Sequence, residues 1–332
     1  AQVVEGRGSD MITALRKRIK TQSDWTILGL GVTLVALIVY FSIASPYFLA
    51  TRNFVNIGQA MAIRGLIAIA LTVLLISGGI DLSIAAMAAC VGMVAASLIM
   101  EGMNGTLAGL IALVAAIGLG GINAFIVIKL RITPLIATLG TLLLFRGMAY
   151  VVSGGDNLAI GVNTWSWLGR GRLFGNNLPI SLVVFLGILI LTMFFMRRTV
   201  TGQHLYAIGG NPVACRNTGV KVDRLRASAY MFTGLLAGFA GLALMSQGGV
   251  AQPQALFGAE LDIITAVLLG GVALTGGRGS LLGTLMGLLI IAIINNGFIL
   301  LGLQVYWQQV VRGVILITAV ALDSFRRGGG YR

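Results

Sequence analysis

One histidine, two cysteines and ten acidic residues are all that 332 positions offer for acid–base, nucleophilic or metal chemistry. His204 and Cys215 stand in one basic loop, Cys90 lies inside an apolar run, and the acids mostly flank such runs. No nucleophile has a base at useful spacing, and no group of side chains is spaced as metal ligands. The lysines Lys17, Lys20, Lys129 and Lys221 never follow the Gly-x-x-x-x-Gly of a phosphate-binding loop. Hydrolytic, redox and self-powered ATPase roles are thereby excluded, and two cysteines this far apart are expected to be free thiols. Asp81, Glu260 and Asp262 sit near the ends of apolar runs rather than deep within them, which disfavours proton or sodium coupling. Power from a separate protein fits better.

The remaining candidates are polar groups placed within apolar runs. Arg146 and Arg312 are each about 10 Å from the outer end of their run at ~1.5 Å per residue, and they must face protein or water rather than lipid. Glu260 and Asp262 are expected as their ion partners, with a gate at the outer mouth as the functional alternative. Asn123, the pair Asn295 and Asn296, and Gln308 can hold helices together or line a hydrophilic translocation path. Uncharged amides suit a neutral, hydroxyl-rich solute. Glycine pairs at 78–79, 270–271 and 276–277 mark broken helices of the kind that line a path.

These residues need a membrane to make sense of them. Hydrophobic residues fill 57% of the chain and charged ones 10%, against roughly 25% charged in soluble domains. The 47 glycines fit closely packed membrane helices, and five prolines argue against a disordered chain. Apolar runs of bilayer-spanning length predict ten spans, near 25–45, 59–77, 82–101, 106–128, 132–152, 178–196, 227–246, 260–277, 280–303 and 305–322. The second, which contains Arg64, and the eighth, short between Asp262 and Arg278, are the weakest. The fold class is an all-α polytopic membrane protein.

The net charge of +13 follows this layout and is no sign of a nucleic-acid partner. With both termini cytoplasmic, 17 of the 23 Lys and Arg residues fall on the inner side, as the positive-inside rule requires. The chain then divides into a cytoplasmic segment 1–24, a permease domain 25–323 and a cytoplasmic tail 324–332. An outer loop, 153–177, carries Trp165 and Trp167 at the headgroup level, or as a docking surface. An inner loop, 197–226, carries six basic residues. In it, Gly209 and Gly210 make a flexible lead-in, Asn211 caps a short helix with Pro212 at its first position, and Gly219 ends it. Leu-Gly-Thr-Leu occurs at 139–142 and 282–285, but other matching segments lie at a different offset, and no internal repeat is assigned.

Seven strings in order carry a resemblance: Gly78-Gly-Ile-Asp-Leu-Ser83, Thr133-Pro-Leu-Ile-Ala-Thr-Leu-Gly-Thr141, Arg146-Gly-Met-Ala-Tyr150, Tyr206-Ala-Ile-Gly-Gly-Asn211, Glu260-Leu-Asp262, Leu269-Gly-Gly-Val-Ala-Leu-Thr-Gly-Gly-Arg-Gly-Ser280 and Trp307-Gln-Gln-Val-Val-Arg312. From about residue 25 to Asp323 the chain resembles the ribose-type permease subunits of bacterial ABC sugar importers. The resemblance implies an inner-membrane permease, not itself an enzyme, that binds no cofactor. A second permease copy would share a central path, and two cytoplasmic ATP-binding subunits would hold ATP and Mg and drive it. A periplasmic sugar-binding protein would deliver a monosaccharide or polyol and set most of the selectivity. The segment 206–219 then looks like the coupling helix, with Gly209, Gly210, Asn211, Ala214, Arg216 and Gly219 as the coupling element. Ile84-Ala85-Ala86 and Val213-Ala214-Cys215 depart from the usual pattern and bear on the match to a particular ATPase. The alternative class is an autonomous facilitator or channel that needs no ATP.

Overall fold

The computed structural model describes residues 27–174 and 178–326. The expected segment 1–24 and the end of the tail lie outside the described residues, as do the side chains of Arg312 and several neighbours in the last helix. Thirteen helices are described: α1 Ile27–Ala44, α2 Thr51–Ile76, α3 Ile84–Met100, α4 Gly105–Ile128, α5 Pro134–Ser153, α6 Ser166–Arg170, α7 Ile180–Arg198, α8 Val200–Gly210, α9 Pro212–Asn217, α10 Val222–Gly248, α11 Ala259–Leu269, α12 Leu281–Leu300 and α13 Val305–Arg326. Four two-residue strands form two clips at one end of the bundle. β1 Leu158–Ala159 pairs antiparallel with β4 Val250–Ala251, and β2 Arg172–Leu173 with β3 Leu178–Pro179.

Seven helices are long and apolar enough to cross a bilayer: α1, α2, α4, α5, α7, α10 and α12. At 17 residues α3 is only slightly shorter. The second span begins earlier than expected, at Thr51, which moves Arg64 from near a helix end to its middle. The eighth differs more. Its 11 residues cover about 16 Å, half the hydrocarbon thickness, before the chain turns at Gly270 and runs irregularly to Ser280. Irregular backbone at such depth is tolerated only inside protein, and Val272, Ala273 and Gly276 are buried.

The core is built around α2, of whose most apolar window 89% is buried, against 11% for peripheral α1. Beside it α10 lies between α3 and α4 with backbones almost touching. A Cβ on Gly234 would strike the Ala116 carbonyl, one on Gly120 the Tyr230 carbonyl, and one on Gly241 the Ala88 carbonyl. Lipid tails are as apolar as leucine, so such close packing, and not exclusion from water, holds membrane helices together. α11 meets α12 in the same way through Gly283 and Gly287. Polar links add to it: Thr72 and Thr284 hydroxyls lie 2.8 Å apart between α2 and α12, and Asn53 and Asn296 exchange amide bonds of 3.0 and 2.8 Å.

Basic side chains gather at one end of this bundle. Lys129, Arg131, Arg197, Arg198, Arg216, Lys221, Arg224 and Arg278 all belong to connections or helix ends on that side, and the loop 153–174 and strands lie at the other.

Candidate functional site

At the basic end, α7 turns at Thr199 into α8, which runs to Gly210, and the six-residue α9 follows after Asn211. The Thr199 hydroxyl accepts from Gly202 N at 3.1 Å, capping α8. Asn211 is extended (φ −153°, ψ 92°), and its side-chain oxygen accepts from Ala214 N at 3.0 Å with Pro212 in the first turn, so α9 is capped as expected. Gly219 closes the segment at φ +84°, a left-handed turn that glycine adopts without strain. Val213, Ala214, Arg216, Asn217, Thr218 and Gly219 are exposed, whereas Cys215 is buried beneath. Arg216 also reaches Asp223 at 2.7 Å on the surface. Both cysteines are free, as expected, and both are buried.

The glycines before α9 are not a flexible lead-in, because both complete the last turn of α8. Gly209 is there for closeness: a Cβ on it would strike the Ile76 carbonyl and Gly277 N. Three glycine pairs therefore converge. Gly78 (φ +81°), Gly276 (φ +84°) and Gly277 (φ +73°) meet Gly209 and Gly210, and a Cβ on Gly276 would come to 2.8 Å from the Gly78 Cα and one on Gly277 to 2.7 Å from Gly210 N. Gly277 N donates to the Ile76 carbonyl at 2.8 Å, and the Tyr206 hydroxyl donates to the Gly279 carbonyl at 3.1 Å. Burial pushes the Tyr206 hydroxyl above its ordinary pKa of 10.0. The base of α8 and α9 is thus keyed directly into the end of α2 and the connection from α11 to α12.

Beside this junction a polar cluster locks the turn between α2 and α3. Asp81, fully buried, accepts from Ser83 N at 2.8 Å, Ser83 Oγ at 2.6 Å and Asn123 Nδ2 at 3.0 Å. Asn123 Nδ2 also donates to Ser83 Oγ at 2.8 Å. Burial raises the Asp81 carboxyl above its ordinary 3.8, and the bonds from Ser83 and Asn123 pull it back. Tyr230 donates to the Ile80 carbonyl at 3.2 Å. The structure therefore gives Asn123 a partner that its amide type did not reveal.

The other path candidates are dispersed. Asn296 is bound to Asn53, Asn295 is buried on α12, and Gln308 donates to the Leu303 carbonyl at 3.4 Å. Arg146 donates to the carbonyls of Pro253 at 2.7 Å and Ala255 at 2.8 Å, with its guanidinium 5.8 Å from the Phe257 ring centre. Asp262 meets Arg64 at 3.8 Å, a partner the sequence did not single out. Trp165 donates to the Gly105 carbonyl at 2.8 Å and packs on Gly109, so it pins the loop to α4, while Trp167 stays exposed.

A cavity of about 770 Å³ opens at the end opposite the basic one, between α2, α3, α10 and α11. Arg64, Gln247, Gln252, Gln254 and Asp262 line it, and none of Asn123, Asn295, Asn296, Gln308 or Arg146 does. Apart from Asp262, these lining residues carried no periodic or motif signal, because the three glutamines and a mid-helix arginine become a wall only through the packing of four helices.

Comparison with known proteins bears on the whole arrangement. Residues 53–320 match the family described as branched-chain amino acid transport system / permease component. The chain is 37% identical over 317 residues to the ribose import permease protein RbsC of Bacillus subtilis, covering 95% of this chain and 98% of that one. It is also 37% identical over 298 residues to the ribose import permease of Escherichia coli K12, covering 88% and 92%. The L-arabinose ABC transporter permease AraH of Azospirillum brasilense is 34% identical over 301 residues, covering 90% and 88%. No solved structure matches the chain.

Proposed function

The chain belongs to the branched-chain amino acid transport system / permease component family, and from that premise we propose that it carries a monosaccharide or similar polyol inward under the power of separate ATP-binding subunits. It is a multi-pass inner-membrane protein, and its ribose and arabinose import relatives support the substrate class. In this reading the basic end faces the cytoplasm, with both termini there. The chain binds no cofactor and catalyses nothing; ATP and Mg are held by the cytoplasmic partners. A second permease copy completes the path, and a periplasmic binding protein delivers the sugar to the opposite end.

The observation that carries the reading is α9. A capped six-residue helix stands exposed at the basic end, yet its base is keyed through Gly209 into α2 and the α11–α12 connection. Force applied to its exposed face reaches the transmembrane helices through backbone contacts that have no side chains to yield. Asn123, Arg146, Asn295, Asn296, Gln308 and Arg312 remain in this reading as candidates for path or gate, with Arg146 as the one that shapes the outer rim.

The test is Arg216→Glu beside the double variant Arg216→Glu with Asp223→Arg, which keeps an ion pair but moves the positive charge off α9. Both are expected to reach the membrane at normal levels and to lose ATP-dependent uptake. Uptake at the wild-type rate in Arg216→Glu would overturn the docking role.

A further inference from the structure

We propose that the cavity between α2, α3, α10 and α11 is a binding station for a neutral polyhydroxylated solute inside a single subunit, reached from the outer face. The proposal rests on the importer reading given above for its orientation and its substrate class.

The starting point is Arg64. Thirteen residues into α2, it lies about 20 Å along the helix from Thr51. An arginine at such depth is costly unless it faces protein or water, and intramembrane ionisable residues mark solute routes. Arg64 faces this cavity, with Asp262 at 3.8 Å. Among the described residues those two are the only charged ones in the wall, and they are opposite in sign, so the described wall carries no net charge. What it does offer is donors and acceptors side by side: a guanidinium, a carboxylate and the amides of Gln247, Gln252 and Gln254. Vicinal hydroxyls, each both donor and acceptor, are matched by such a set.

Size and shape agree. At about 770 Å³ the cavity is within the ~300–1,000 Å³ range of small-molecule sites. Its space exists because Ala88, Ala89, Gly92 and Gly241 put almost no side chain into it. Its floor is tight: a Cβ on Gly92 would come to 3.3 Å from the Gly241 carbonyl, and one on Gly241 would strike that of Ala88. The cavity is therefore open toward the outer end and closed half-way through α3. At the mouth, Phe257 is 77% exposed and presents a ring of the kind on which the C–H face of a sugar stacks. Arg146 sets that mouth by gripping the carbonyls of Pro253 and Ala255, which makes it a positioning residue for the rim.

The experiment is solute protection of an introduced thiol in the complete transporter in intact cells, since both native cysteines are buried. Gln247→Cys is labelled with a membrane-impermeant maleimide in the presence of D-ribose, L-arabinose or myo-inositol. Val162→Cys, 80% exposed on the outer loop and outside the cavity, is the control that a docked delivery protein would also shield. Severalfold slower labelling of Gln247→Cys by at least one of these solutes, with Val162→Cys unaffected, is expected. Adding Gln254→Ala should raise the half-protecting concentration about fivefold, as loss of one hydrogen bond does. Equal labelling with and without every solute, or equal shielding of both positions, would overturn the proposal. ATP-dependent uptake by the wild-type chain is scored separately: its absence strikes the importer reading, whereas its presence without protection strikes the cavity alone.

Discussion

Gly209→Ala isolates the junction under the coupling helix. The added Cβ would strike the Ile76 carbonyl and Gly277 N, well inside the 3.0 Å that such atoms never cross. In a close-packed interior the Ile76 carbonyl would have to retreat by about 1 Å. Overpacking of this kind costs about 1–3 kcal/mol. The retreat also strains the 2.8 Å bond that the Ile76 carbonyl accepts from Gly277 N, and loss of a buried bond costs a further ~1–3 kcal/mol. A total of about 2–6 kcal/mol is therefore expected. Gly210→Ala is the adjacent control. It is the last residue of the same helix with nothing within 4 Å of its Cβ, so alanine there should be within ~1 kcal/mol of wild type. Equilibrium unfolding in mixed detergent micelles, followed by tryptophan fluorescence, measures both. Indistinguishable midpoints for the two variants, or a worse Gly210→Ala, would refute the account of three glycine pairs meeting at contact distance.

Other perturbations read other contacts. Asn53→Leu takes from Asn296 its cross-helix amide partner, and Asn296→Leu leaves Asn53 only its bond to the Phe48 carbonyl, so the double variant should recover ~1 kcal/mol relative to the summed single effects in a double-mutant cycle. Asp81→Ala strands the Ser83 N–H and O–H in a buried site and leaves Asn123 Nδ2 only its bond to Ser83 Oγ, and should cost about 2–4 kcal/mol in the same unfolding assay. Because burial raises the Asp81 carboxyl, its contribution is present at low pH and is lost as pH rises through that raised value; Asp81→Asn should abolish this dependence. Val162→Cys should react with an impermeant maleimide in intact cells and Val213→Cys, 62% exposed on α9, only in inside-out vesicles; the reverse pattern would invert the orientation.

Span positions were legible because ~20-residue apolar runs between charged loops are a strong signal. The eighth run misled, since Gly270 to Gly277 is uncharged yet holds three glycines at positive φ, a choice that only packing against Gly78 and Gly209 makes visible. The capped helix at Asn211 was readable from local chemistry, because Asn, Pro and Gly each act within a few residues. The role of Gly209 was not: contact with residues 76 and 277 is invisible to any local pattern. Arg146 and Asn123 stood out as polar groups in apolar runs, but their partners, backbone carbonyls at 253 and 255 and a carboxylate at 81, are far along the chain. The cavity glutamines looked like ordinary loop residues for the same reason.

The most direct measurement takes the tagged chain from its native membrane, identifies what co-purifies, and follows radiolabelled ribose and arabinose uptake in inside-out-controlled vesicles with and without ATP. The account predicts a co-purifying ATP-binding subunit whose hydrolysis rises with a sugar-loaded binding protein, and uptake that stops without ATP. A chain that purifies alone and passes sugar equally well in ATP-free vesicles would contradict it and make the protein a facilitator.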